Sequence, residues 1–222
     1  LRTIQLTLEE GSPTVDVTIK HTDGIIKKKI NHYQLSELLN ISTSDDYRTI
    51  GHLPDGYVNG QIGKLGDFKC IVSYKGKRLL FNYYDIEYLI PFPSCVFYFK
   101  CKNQKLISSK VFTFKTKSIL KTSKLYTYPF GNVYSNGDIC WGGNLLPNLT
   151  TLKDIDDVVR LFFCSKTNND LYNINNTKLK KSQDKLIKYL VGKKIFPTDI
   201  LVLNSYAKNI EELQQRLLEE VE

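Results

Sequence analysis

Between residues 67 and 128 the chain passes through five β-branched or aromatic runs, FKCIVSYKG, KRLLFNYY, SCVFYFKCK, KLISSKVFTFK and KLYTYP, with turn residues between them. A parallel return needs a crossover of a dozen or more residues, usually a helix. The spacers here are too short for that, so this half of the chain is expected to form an antiparallel β-meander. After residue 150 the pattern changes. In TLKDIDDVVRLFFC, Thr151 is followed three residues later by Asp154, a capping-box-like start with Asp in place of Glu or Gln. Asp154, Asp156 and Asp157 crowd the first turn, where the helix dipole favours them. Leu152, Ile155, Val159, Phe162 and Phe163 then mark one inward stripe. Further helices are expected over 178–191, stopped by Gly192, and over 207–221. Strands followed by helices predict an α+β domain.

The first 60 residues read as a separate extension ahead of a main domain at 61–222. RTIQLTL and TVDVTIKH alternate as a hairpin around the turn signal EEGSP. INHYQLSELLN, 30–40, places Tyr33, Leu35, Leu38 and Leu39 on one helical face. STSDD and GHLPDGYVNG follow as loop.

A hydrophobic content of 41% supplies a core and excludes general disorder. The most apolar region is cut by charges and by Pro91 and Pro93, so nothing approaches the ~18 uninterrupted apolar residues of a membrane helix. The opening lacks a signal-peptide apolar block, although a start at Leu1 suggests a trimmed N-terminus. A soluble, cytoplasmic protein is expected. Five cysteines, Cys70, Cys95, Cys101, Cys140 and Cys164, are odd in number and contain no CxxC pair, so neither a disulfide framework nor a metal site is predicted. Net charge is +8, but the lysines are dispersed and arginines are few. A solvated lysine-rich surface is expected here in preference to a nucleic-acid face.

One stretch carries candidate chemistry: NVYSNGDICWGG, 132–143. If Ser135–Gly137 form a three-residue loop closed by a left-handed glycine, Tyr134 faces Asp138 and Asn132 lies opposite Cys140. Opposed residues share a face with Cβ atoms about 4.5–5.5 Å apart. A two-residue loop at Asn136–Gly137 would pair Val133 with Cys140 and turn Asn132 away. In the first register a carboxamide stands beside a thiol, which suits acyl transfer: sulfur forms a thioester and the amide N–H can bond the developing oxyanion. Gly142 and Gly143 leave room for an incoming peptide tail. Cys164, beside Phe162 and Phe163, is expected to be buried, as are Cys70, Cys95 and Cys101. Phe130 and Trp141 are expected to pack, and Asn144, Asn148 or Asp170 could add a polar group near the thiol.

The same stretch resembles the active-site signature of ubiquitin-conjugating enzymes: His-Pro-Asn, an aliphatic residue, Tyr, two variable residues, Gly, one variable residue, an aliphatic residue, Cys. Asn132, Val133, Tyr134, Gly137, Ile139 and Cys140 fall in register without a gap. LYTYPFGNVYSNGDICWGG, LPNLTTLKDIDDVVRLFFCS and FPSCVFYFKC resemble more closely a bacterial branch of that superfamily, protein B of the PRTRC systems. The resemblance implies a UBC-like fold and a transferase whose Cys140 accepts the C-terminal carboxyl of a ubiquitin-like protein from a ThiF-like adenylating enzyme. Asn132 would orient the loop or stabilise the oxyanion, while Tyr134 and Gly137 shape the turn. A JAB-type peptidase would belong to the same system, and no metal or cofactor is required. Phe130 and Gly131 stand where the family has His and Pro, a departure that bears on loop geometry. A non-catalytic adaptor of the same fold and a nucleic-acid-binding accessory protein are the alternatives. A cysteine hydrolase ranks behind them, because His21, His32 and His52 all lie far from Cys140 in sequence.

Overall fold

The computed structural model describes residues 3–9, 12–21, 24–31, 35, 51–63 and 67–218, and divides the chain into two compact units, 1–49 and 50–222. In the first, β1 (Thr3–Leu8), β2 (Thr14–His21) and β3 (Gly24–Asn31) form an antiparallel sheet in that order. The expected hairpin is its first two strands, and β3 is a third that the lysine run 27–29 obscured. Residues 30 and 31 of the expected helix belong to β3; apart from Leu35, the rest of that helix lies outside the described residues.

The second unit is built on an antiparallel sheet of order β4 (Tyr57–Ile62), β5 (Phe68–Tyr74), β8 (Ser94–Lys102), β9 (Lys105–Phe114). Successive side chains point to opposite faces, and both faces are buried. Phe68, Cys70, Val72, Cys95, Phe97, Phe99 and Cys101 meet α1 (Ile155–Cys164) and α2 (Gln183–Leu190) on one side. Ile71, Val96, Tyr98, Phe112 and Phe114 meet α3 (Ile210–Leu218) on the other. Double burial explains why β8 reads as an almost unbroken apolar run, although its neighbours are antiparallel.

The fold is thus α+β, with antiparallel strands followed by helices. Several local expectations are corrected. β4 runs through the expected loop 51–60. KRLLFNYY does not join the main sheet: β6 (Arg78–Tyr83) pairs with β7 (Ile86–Pro91) as a separate hairpin. Its turn residues Tyr84 and Asp85 are both left-handed, at φ 48° and 61°, as a tight two-residue turn demands. Pro91 and Pro93 lack the N–H needed to continue a ladder, and β8 starts at the next residue, Ser94. KLYTYP is an extended segment stitched by single pairings, Tyr126 to Thr113 on one side and to Leu203 on the other.

Residues 178–182 are not helical. Lys178 N–H donates to the Ile200 carbonyl and Lys180 takes φ 49°, so α2 starts only after Ser182. The start of α1 is as expected: the Asp154 carboxylate accepts from the Thr151 N–H at 2.8 Å and from Thr150. Burial raises its pKa, but these bonds outweigh that and hold it below the ordinary value. Cys164 is exposed, contrary to expectation. Each helical residue advances 100°, which carries position 164 off the stripe formed by Ile155, Val158, Val159, Phe162 and Phe163.

Candidate active site

The site is a short hairpin laid against β9. Tyr134 N–H donates to the Asp138 carbonyl, Val133 pairs with Ile139, and Cys140 N–H donates to the Asn132 carbonyl at 2.9 Å. These pairings are the three-residue-loop register, with Asn132 directly opposite Cys140. Gly137 closes the loop at φ 88°, and a Cβ there would lie 2.6 Å from two ring carbons of the fully buried Phe112. Only glycine meets both demands. Asn136 and Asp138 bond each other across the loop, and Asp138 receives Lys110 Nζ at 2.7 Å. Lys110 is itself buried beneath Tyr206, so the pair fastens the loop tip to the sheet.

Cys140 is half-buried at the end of the second arm. Beyond it Gly142, at φ 55°, and Gly143 have no atom within 4 Å of where a Cβ would be. The lip is open on that side, and Leu145 on the same loop is 94% exposed. Trp141 turns inward, donating from Nε1 to Ser109 Oγ at 3.0 Å and standing edge-on to Phe162.

Asn132 adopts a left-handed φ of 62°. Its Nδ2 donates to the Lys166 carbonyl at 2.7 Å and lies 3.5 Å from Thr167 Oγ1. A carbonyl can only accept, so the amide nitrogen must face it. The carboxamide therefore ties the hairpin to the segment after α1. Tyr134 lies on the same hairpin face as Cys140, and hydrogen bonding to the thiol, together with the charge the sulfur can carry, pushes the phenol's pKa up.

Phe130 is fully buried, ringed by Phe81, Phe92, Tyr128 and Phe196. A Cβ on Gly131 would come within 2.7 Å of the Asn168 carbonyl oxygen. An aromatic plug and a close backbone approach thus occupy the positions where the conjugating-enzyme signature has His and Pro. Asn144 donates to the Trp141 carbonyl at 2.8 Å and to Ser165 Oγ at 3.2 Å. Asn148 is exposed, and Asp170 accepts from Asn168.

Sequence reasoning missed the Ser165–Thr167 segment and the Lys110–Asp138 pair, because contacts between residues about 30 positions apart leave no periodic trace. The Tyr134 contact was recoverable: in the first register Tyr134 and Cys140 lie on one face as diagonal neighbours.

Among the described residues no three His, Cys, Asp or Glu side chains converge as a metal site would, and no helix is long and apolar enough to cross a membrane. The family model described as Prokaryotic E2 family D matches residues 67–203. No curated protein and no solved structure gives a match.

Proposed function

The chain belongs to prokaryotic E2 family D, and from that premise we propose that it is an acyl carrier that holds a ubiquitin-like protein as a thioester on Cys140. Membership supports a conjugating-enzyme-like role with a ubiquitin-like protein and an activating enzyme as the kinds of partner. The finer assignments are a ThiF-like adenylating enzyme as donor, a JAB-type peptidase in the same system and the PRTRC protein B branch. They rest on the sequence resemblance around LYTYPFGNVYSNGDICWGG. Residues 61–222 would be the carrier domain and 1–60 its extension.

The observation that carries the proposal is the half-buried Cys140, opposite Asn132, beside an open glycine pair. The Cys140 thiolate attacks the carbonyl carbon of the incoming thioester, and the donor enzyme's sulfur leaves. An amine nitrogen then attacks the same carbon, the C–S bond breaks and Cys140 departs as thiolate. Asn132 braces the loop through Lys166 and Thr167. Tyr134, on the same hairpin face as Cys140, would supply an O–H to the oxyanion that forms on the acyl group's carbonyl oxygen.

Incubation with a ThiF-like enzyme, its ubiquitin-like protein and ATP should give an adduct cleaved by reductant. It should be lost in Cys140→Ala and retained in Cys164→Ala. With a competent activating partner, no adduct in the unaltered chain would favour the adaptor of the same fold.

A further inference from the structure

The two residues after α1 are tied to the thiol's loop from both sides. Asn132, opposite Cys140, bonds the Lys166 carbonyl at 2.7 Å. Asn144, four residues beyond Cys140, bonds Ser165 Oγ at 3.2 Å and the carbonyl of Trp141, the thiol's neighbour. Ser165 is buried and points inward to the Leu161 carbonyl, whereas the Lys166 side chain is 75% exposed. An amine on a flexible four-carbon stem is therefore rooted on the residue that holds Asn132, the partner of Cys140 across the hairpin. Its ammonium pairs with Asp85 on the β6–β7 turn, an exposed pair that water and salt weaken.

We infer that Lys166 is a self-acylation site: the acyl group on Cys140 is passed, within one molecule, to Lys166 Nζ. This rests on the thioester-carrier proposal. The ammonium leaves Asp85 and gives one proton to solvent. The amine nitrogen bonds the thioester carbonyl carbon, the C–S bond breaks, and Cys140 leaves with the electron pair. The nitrogen's second proton balances the thiolate, so thioester plus amine becomes amide plus thiol with no further reactant. The product is a reductant-resistant form of the chain, with its own cargo fixed beside the emptied thiol. Asp85 sets the partition, since holding the ammonium favours transfer to an outside amine.

The test uses the full chain with Cys164→Ala, so that Cys140 is the one accessible thiol among the five cysteines. The probe is a short glycine-terminated peptide supplied as its mercaptoethanesulfonate thioester, which loads a thiol by exchange without an activating enzyme. Excess probe is removed, and conversion of reductant-labile to reductant-resistant adduct is followed, with peptide mapping by mass spectrometry. The resistant peptide should map to Lys166, with a rate independent of protein concentration. It should disappear in Cys140→Ala and slow at least tenfold in Lys166→Arg, which keeps the backbone carbonyl that Asn132 binds. Asp85→Asn should speed conversion about two- to fivefold, the range of an exposed ion pair. Asparagine also suits the left-handed turn position.

Mapping to another lysine, an unchanged rate in Lys166→Arg, or a rate rising with protein concentration would overturn the inference. So would a labile adduct that only hydrolyses. If no labile adduct forms on Cys140 at all, the carrier proposal itself fails, and that outcome is distinct from the others.

Discussion

Restoring the histidine that the conjugating-enzyme signature carries at position 130 should harm this protein. Phe130 has no exposed surface, and its ring lies 4.9 Å from Phe81, 5.4 Å from Phe92, 5.6 Å from Tyr128 and 6.4 Å from Phe196, centroid to centroid. Phe130→His replaces a ring in an aromatic cluster with one whose N–H is set against the rings of Phe81, Phe92, Tyr128 and Phe196. An unsatisfied buried donor costs about 1–3 kcal/mol, and lost aromatic pairing adds about 0.5–1.5 kcal/mol. With the smaller apolar area, a loss of about 3–5 kcal/mol is expected, a large share of a typical total.

The cost should also depend on pH. A histidine buried among rings has its folded pKa depressed below the unfolded value of about 6.5. Between the two values the unfolded state binds a proton that the folded state refuses, so stability falls as pH falls. From pH 8 to pH 5 the variant should lose about 2 kcal/mol more, at about 1.4 kcal/mol per unit below 6.5. Urea unfolding followed by Trp141, the one tryptophan of the chain and a residue of the 50–222 unit, reads this directly. At about 2–3 kcal/mol per molar the midpoint should drop by about 1–2 M at pH 8, and further at pH 5. Phe130→Leu, which changes shape without burying a polar atom, should cost less and show no added pH dependence relative to the unaltered chain. A histidine variant as stable as the parent at both pH values would refute the aromatic-plug account of the tripeptide.

Native thiol labelling should separate the cysteines. Maleimide near neutral pH should modify Cys140 and Cys164, with Cys70, Cys95 and Cys101 reacting only after unfolding. Burial pushes Cys70 up to about 12 and Cys101 up to about 11, and raises Cys95 as well. Mass spectrometry showing early modification of any of the three would count against the packing described. Gly137→Ala should cost about 2–5 kcal/mol, from a left-handed non-glycine residue and displacement of Phe112. A melting temperature within 1 °C of the parent would contradict the close approach.

Much of the fold was legible where one physical rule dominates. Short spacers between β runs forced antiparallel pairing, and the Asp154 start with its apolar stripe located α1. The hairpin register was legible as one of two choices, because Gly137 supplies the positive φ that a three-residue loop needs. Elsewhere local pattern was outvoted. KRLLFNYY has strand character, but composition does not say which strand it meets; the prolines at 91 and 93 steer it into its own hairpin. The lysines at 178, 180 and 181 read as the start of a helix, yet a backbone bond from Lys178 to Ile200 and a turn at Thr177–Lys180 take that stretch out of the helix. Cys164 was assigned by the company it keeps in sequence, whereas exposure on a helix follows angle.

The chain by itself determined that antiparallel strands precede helices and which two registers the 132–140 hairpin could take, since each depends on spacing, periodicity or turn chemistry within a dozen residues. Only the tertiary structure decided what surrounds the sulfur. The Asn132 carboxamide is committed to Lys166 and Thr167, Lys110 and Asp138 fasten the loop tip to the sheet, and Phe130 fills an aromatic cluster. Those outcomes depend on side chains from segments far apart in sequence competing for the same few ångströms. Packing and hydrogen-bond satisfaction resolve that competition once the sheet, helices and hairpin are brought together.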